Sequence, residues 1–178
     1  MKTKVILVFL CIFFLQACNG LSQNLLNPEK GVMNGEDDLT EGLTLAQSAQ
    51  LALTNFFDLL NQGSYDQAVA LYGGLYDTLQ SYNPSIDPED KAGLLEAGCR
   101  FNGLMCLKVL SATLLHRGDL QNFEFEVAFT NPDGSQFVMG PCCGETVENM
   151  PPQSTFFVQV TCENKNSCQV LDLPPYVP

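Results

Sequence analysis

Cysteine is the residue type with the most chemistry to offer in this chain. Beyond Cys18 it occurs at Cys99, Cys106, Cys142, Cys143, Cys162 and Cys168. Zinc sites pair cysteines at short fixed spacings or add histidine. No pair here has the spacing of a zinc knuckle, and the single histidine, His116, lies elsewhere. An even count predicts disulfides instead, three if every thiol is used. Cys162 and Cys168 flank the polar run 163–167, so a bridge across a hairpin is expected there. Adjacent cysteines bond to each other only with strain, which sends Cys142 and Cys143 to Cys99 and Cys106, in an order the spacing leaves open.

Cys18 stands apart. Lys2 and Lys4 form a short basic region ahead of the apolar run Val5–Leu15, which is short for a bilayer span. The run ends in Leu15-Gln16-Ala17-Cys18, which resembles a bacterial lipobox. That resemblance implies a signal peptide over 1–17, with Cys18 becoming the first mature residue and carrying a lipid such as palmitate. The protein would then sit in the cell envelope on the extracytoplasmic side, or be secreted if the leader is a plain signal. Cys11 would leave with the leader.

Residues 18–42 read as an acidic tether, rich in Asn and Gly and containing Glu36-Asp37-Asp38. The cluster lacks the alternating spacing and central glycine of a calcium loop. Formal charge is −12, with 8 basic and 20 acidic residues. Such a chain repels phosphate backbones and anionic headgroups, which excludes a nucleic-acid partner.

The elements that must position any site begin at Thr44. Thr44 with Gln47 reads as a capping box. Leu45, Ala49, Ala52, Leu53, Phe56 and Leu60 recur at helical spacing, while Gln47, Gln50, Thr54, Asn55, Asp58 and Asn61 form a wet face. Gly63 closes the helix in the left-handed conformation. Ser64 with Gln67 makes a second capping box, opening a helix through Tyr72. Residues 75–83 are helical or irregular. Asp87-Pro88-Glu89-Asp90 predicts a third helix ending at Gly98.

From Leu107 the period changes to two. Leu107–Leu115 reads as a strand, His116–Asp119 as a turn, and Phe123–Thr130 as a half-buried strand. Asn131-Pro132-Asp133-Gly134 is a turn that Gln136–Met139 should follow as a returning arm. Thr155–Cys162 and Cys168–Leu173 form a last hairpin, and Pro174-Pro175 ends the sheet. A single domain over 43–178 accounts for the pattern. It is α+β, with N-terminal helices packed on a curved antiparallel sheet.

That order, with the helix–glycine–helix run Asn55–Ala68 and the final strand Cys168–Pro174, resembles the nuclear-transport-factor-2-like superfamily, also called ketosteroid-isomerase-like. The resemblance covers roughly 43–175 and implies a cone-shaped, cystatin-like fold. It also implies a cavity and pairing of two copies through the open face of the sheet. In enzymes of that superfamily the cavity holds aspartate, histidine or tyrosine, and apolar walls tune an acid for proton exchange. The available groups are Asp58, Tyr65, Tyr72, Tyr76 and His116. Asp58 falls on the wet face of its helix, and His116 sits beside a turn.

No nucleophile elbow and no phosphate-cradling loop is present, so no cofactor is expected. The leading expectation is a lipid-anchored, non-catalytic domain that binds a small apolar ligand or a protein partner, with a homodimer as a further possibility. The alternative is a small isomerase, dehydratase or hydrolase using a cavity carboxylate or tyrosine.

Overall fold

The computed structural model describes residues 43–117 and 121–177; the expected leader, Cys18, the expected acidic tether and residues 118–120, where part of a turn is expected, lie outside the described residues. The first helix, α1 (Leu45–Gln62), begins at the capping box anticipated from Thr44. The Thr44 hydroxyl accepts from the Gln47 amide at 3.2 Å, and the Gln47 side chain accepts from the Thr44 amide at 2.8 Å. Gly63, at φ +75°, ends the helix by donating back to Leu59 and Leu60.

The buried stripe of α1 adds Ser48 and Phe57 to the expected positions. None of the residues expected on its wet face is buried, and two of them reach across to the backbone that follows. Gln50 donates to the Ala112 carbonyl at 3.0 Å and Asn61 to the Cys106 carbonyl at 3.0 Å. These exposed amides stitch the helix to the strand side from its solvent edge.

The second helix, α2 (Tyr65–Val69), is shorter than expected, and Ser64 makes no side-chain cap bond. The chain leaves the helix to pair with the sheet: Val170 donates to Leu71 at 2.8 Å and Gly73 to Val170 at 2.9 Å. Sheet pairing satisfies these backbone groups in place of another helical turn. Then come α3 (Asp77–Tyr82) and α4 (Lys91–Phe101). Asp90, not Asp87, caps α4 by accepting from the Gly93 amide at 2.9 Å. Asp87 instead closes a turn onto Glu89. The helix also continues past Gly98. Leu79 and Leu104 pack so closely there that an added Cβ would lie 2.9 Å and 2.7 Å from them, which explains the glycine by packing rather than by termination.

Four antiparallel strands follow in the order β1 (Lys108–Arg117), β2 (Asn122–Thr130), β3 (Phe156–Asn164) and β4 (Ser167–Val170). His116 and Arg117 belong to β1 rather than to the turn. Gln136–Met139 returns beside β2 only briefly, with Phe137 donating to the Phe129 carbonyl at 2.9 Å, and is not a continuous strand. Gln136 makes one bridge to Thr130, and Met139 pairs with Gln153.

Phe123, Phe125, Val127 and Phe129 from β2 and Phe156, Val158 and Val160 from β3 point into the core, where α1 lies against all four strands. Ring contacts run from Phe56 to Phe57, from Phe57 to Phe129 at 4.9 Å and from Phe129 to Phe156 at 5.7 Å. Each such ring, fully buried, contributes about 1.5–3 kcal/mol. The architecture is α+β, helices packed on a four-stranded antiparallel sheet.

The cysteines correct one expectation. Cys162 and Cys168 are bonded across the β3–β4 turn, as their spacing predicted. Cys99 and Cys106 are bonded to each other instead of to the vicinal pair. Gly103, at φ +79°, reverses the chain just past α4 and returns Cys106 to Cys99, with Cα atoms 5.5 Å apart. This local closure leaves Cys142 and Cys143 as thiols.

Candidate functional site

The reversal at Gly103 also helps build a largely apolar cleft at the surface. The C-terminal segment runs antiparallel to 103–105, with Met105 donating to Pro175 at 2.8 Å and Val177 to Gly103 at 2.9 Å. Only glycine fits at 103, because a Cβ would meet the Val177 carbonyl. Between this segment, α3 and the end of α4 lies a cleft of about 170 Å³. Leu79 and Leu104, both buried, form its floor, and Leu173 and Pro174 a wall. Tyr82 and Tyr176 stack at its edge with centroids 5.9 Å apart.

Thr78 and Asn102 are polar residues among this lining. The Oδ1 of Asn102, a lining residue, is buried without a hydrogen-bond partner among the described residues. A buried acceptor left unpaired costs about 1–3 kcal/mol. At the mouth, the Tyr176 phenol is pushed above its usual range. Desolvation is the first cause, followed by Tyr82, then the nearby Cys143 and Cys142.

The candidates drawn from sequence do not converge on this cleft. Asp58 is half-buried on α1. Tyr65 is half-buried, its phenol raised by desolvation and by Glu96. Tyr72 is a core residue. Its ring stacks on Phe56 at 5.5 Å, and its hydroxyl donates to the Leu75 carbonyl at 3.1 Å. Tyr76 packs edge-on to Tyr72 at 5.1 Å, with Lys91 over its ring at 4.9 Å. Tyr72 and Tyr76 are thus brought together, but as packing.

His116 is exposed and lies opposite Glu124 in the β1–β2 register. It lines a larger hollow of about 300 Å³ at the end of the sheet, with Glu124, Gln159 and Leu171. That hollow is open, and Asn122, Glu124 and Gln159 make much of its lining polar. No cluster of histidine, cysteine and carboxylate suited to a metal occurs among the described residues, and none of their helices is long and apolar enough to cross a membrane.

Sequence reasoning missed Tyr82, Asn102, Leu104 and Tyr176. They lie in three separate stretches, and Pro174-Pro175 reads only as the end of the sheet. The available signal is a tyrosine just beyond two prolines, an aromatic where a disordered tail would carry polar residues. No family model, curated protein or solved structure matches the chain.

Proposed function

We propose that this is a non-catalytic binding domain whose ligand is a small apolar molecule carrying a single ring, held in the cleft between Leu79, Leu104 and the Tyr82–Tyr176 pair. The observation that carries the reading is the cleft's size and lining. Its volume of about 170 Å³ is near the roughly 150 Å³ of an apolar cavity that takes up one benzene. It is too small for the drug-sized ligands that fill several hundred cubic ångströms. Leucine and proline walls with a tyrosine edge favour a ring over a flexible chain, since aromatic pairs add about 0.5–1.5 kcal/mol beyond burial.

In fold terms, we read the helices as roofing a cone of the nuclear-transport-factor-2-like kind. The helix–glycine–helix opening and the antiparallel meander support this. The Leu15–Cys18 lipobox supports a lipid on Cys18 and an anchored, extracytoplasmic location. Metabolic labelling with an alkyne fatty acid tests it: label that survives Cys18→Ala contradicts the anchor. Pairing of two copies would use the outer sheet face around Phe157, which is 60% exposed. Light scattering that finds only monomer at high concentration removes that pairing.

The ligand reading is tested by titrating the protein with toluene while following its amide and methyl NMR signals. Saturable shifts at Leu79, Leu104 and Tyr176 are expected, with a dissociation constant on the order of 0.1–1 mM for so few atoms. Leu104→Phe should fill the cleft and weaken binding at least about tenfold, and Tyr176→Ala opens it without touching the floor. Shifts scattered over the surface, or unchanged by either variant, would contradict the assignment.

A further inference from the structure

The Pro141-Cys142-Cys143-Gly144-Glu145 stretch is used neither by the cleft nor by the disulfide framework. It sits at the head of a loop whose base is tied by the Met139–Gln153 pairing, with bonds of 2.8 and 2.9 Å in both directions. At its tip, Glu145 donates to the Cys142 carbonyl at 2.9 Å. The two central residues, Cys143 and Gly144, both take positive φ, +61° and +88°. That is the backbone of a tight turn that glycine, asparagine or aspartate normally occupies at both positions.

Cys143 is the one non-glycine residue with positive φ among the described residues. Backbone strain of this kind is retained where function or surrounding structure holds it. Here the turn sets the two sulfurs side by side at 2.7 Å, with Cys143 exposed and Cys142 half-covered. The other four described cysteines are already bonded, and Cys162 and Cys168 are buried.

We propose that Cys142 and Cys143 form a reversible dithiol–disulfide site that exchanges electrons with small external disulfides. In the first step the exposed Cys143 thiolate attacks one sulfur of a low-molecular-weight disulfide. This makes a mixed disulfide on Cys143 and expels one thiolate. Cys142 then loses its proton to solvent, and its sulfur attacks the Cys143 sulfur and expels the second thiolate. The protein pair is oxidised by two electrons, and the external disulfide is reduced to two thiols.

The order of attack follows from the environment. The contact with Cys143, then partial burial, then the charges of Cys143 and Glu145 hold the Cys142 thiol above its usual range. Cys143 is the more exposed of the two. A thiolate, not a thiol, is the nucleophile, so Cys143 leads and Cys142 resolves. Closing a ring around a single peptide bond strains the product, and strained, exposed disulfides are the readily reduced ones. The buried and half-buried bridges at Cys162–Cys168 and Cys99–Cys106 should not take part.

The test is to treat the purified full chain with oxidised glutathione, then with dilute dithiothreitol, and to map the cysteines by mass spectrometry after each step. The expected result is loss of two hydrogens with a Cys142–Cys143 linkage, reopened by the reductant while the other two bridges persist. Cys142→Ser should trap a stable glutathione adduct on Cys143. Cys143→Ser should slow adduct formation by at least about tenfold, because the remaining sulfur is the more covered of the two. The proposal is overturned if the pair stays reduced, if wild type stops at a persistent adduct, if the linkage resists reduction alongside the other bridges, or if either cysteine is found bonded elsewhere.

Discussion

Tyr72 and Tyr76 touch edge to face and yet should respond oppositely to loss of their hydroxyls. The Tyr72 hydroxyl donates to Leu75, so Tyr72→Phe leaves a carbonyl unpaired and should cost about 1 kcal/mol in urea denaturation. The Tyr76 hydroxyl is buried with no partner among the described residues. Tyr76→Phe removes an unsatisfied group, keeps the ring under Lys91, and should be neutral or slightly stabilising.

The same pair sets an alkaline limit. Burial raises both phenols, so the folded state keeps them protonated where unfolded tyrosine, near 10.0, ionises. Their contribution is intact below that pH and is lost progressively as the pH climbs above it toward the folded values. Tyr72→Phe should therefore flatten the decline of stability above about pH 10 relative to wild type. An unchanged slope would show that Tyr72 does not contribute. The sequence offered these tyrosines as candidates for chemistry. What it could not show was that Phe56 lies flat against Tyr72, since that contact depends on how α2 swings onto β4.

Among the elements, the short return after α4 does two things at once. Gly103 reverses the chain, and the Cys99–Cys106 bond fastens the reversal. Gly103→Ala forces a side chain into the left-handed region and against the Val177 carbonyl, so it should cost more than about 1 kcal/mol. It should also detach the C-terminal segment, seen as faster amide exchange at Val177. Cys99→Ser with Cys106→Ser should cost about 2 kcal/mol by loop-closure entropy, a difference that denaturation of the two forms measures directly.

Helix α1, strand β2 and the β3–β4 hairpin were legible because each carries its signal locally, as a cap, an alternation or a flanking cysteine pair. Three features were not. The cap of α4 moved from Asp87 to Asp90, the role of Gly98 changed from stop to contact, and the partner of Cys99 changed. Gly98 was decided by Leu79 and Leu104, which lie outside its stretch, and the cysteine pairing by the reversal at Gly103.

At the scale of the whole molecule, the described residues are held by apolar packing more than by the ion pairs seen among them. The one salt bridge among the described residues, Arg100 with Glu96, is exposed and spaced one helical turn apart. Pairs of that kind contribute about 0.3–0.5 kcal/mol. With a formal charge of −12, self-repulsion acts on the folded state with little local compensation. Raising salt from low ionic strength to about 0.15 M, where screening reaches about 8 Å, should raise the thermal midpoint. A midpoint that falls would mean attractive pairs dominate.

The overall class was readable from the change of period near Leu107. The cleft was not, because its walls come together only when the C-terminal segment lies down beside Leu104. Its occupation is most directly tested by a crystal of the protein soaked in bromobenzene, with the bromine located by anomalous scattering. A peak bounded by Leu79, Leu104, Tyr82 and Tyr176 is the predicted result. An empty cleft, or a ring bound only in the hollow beside His116, would contradict it.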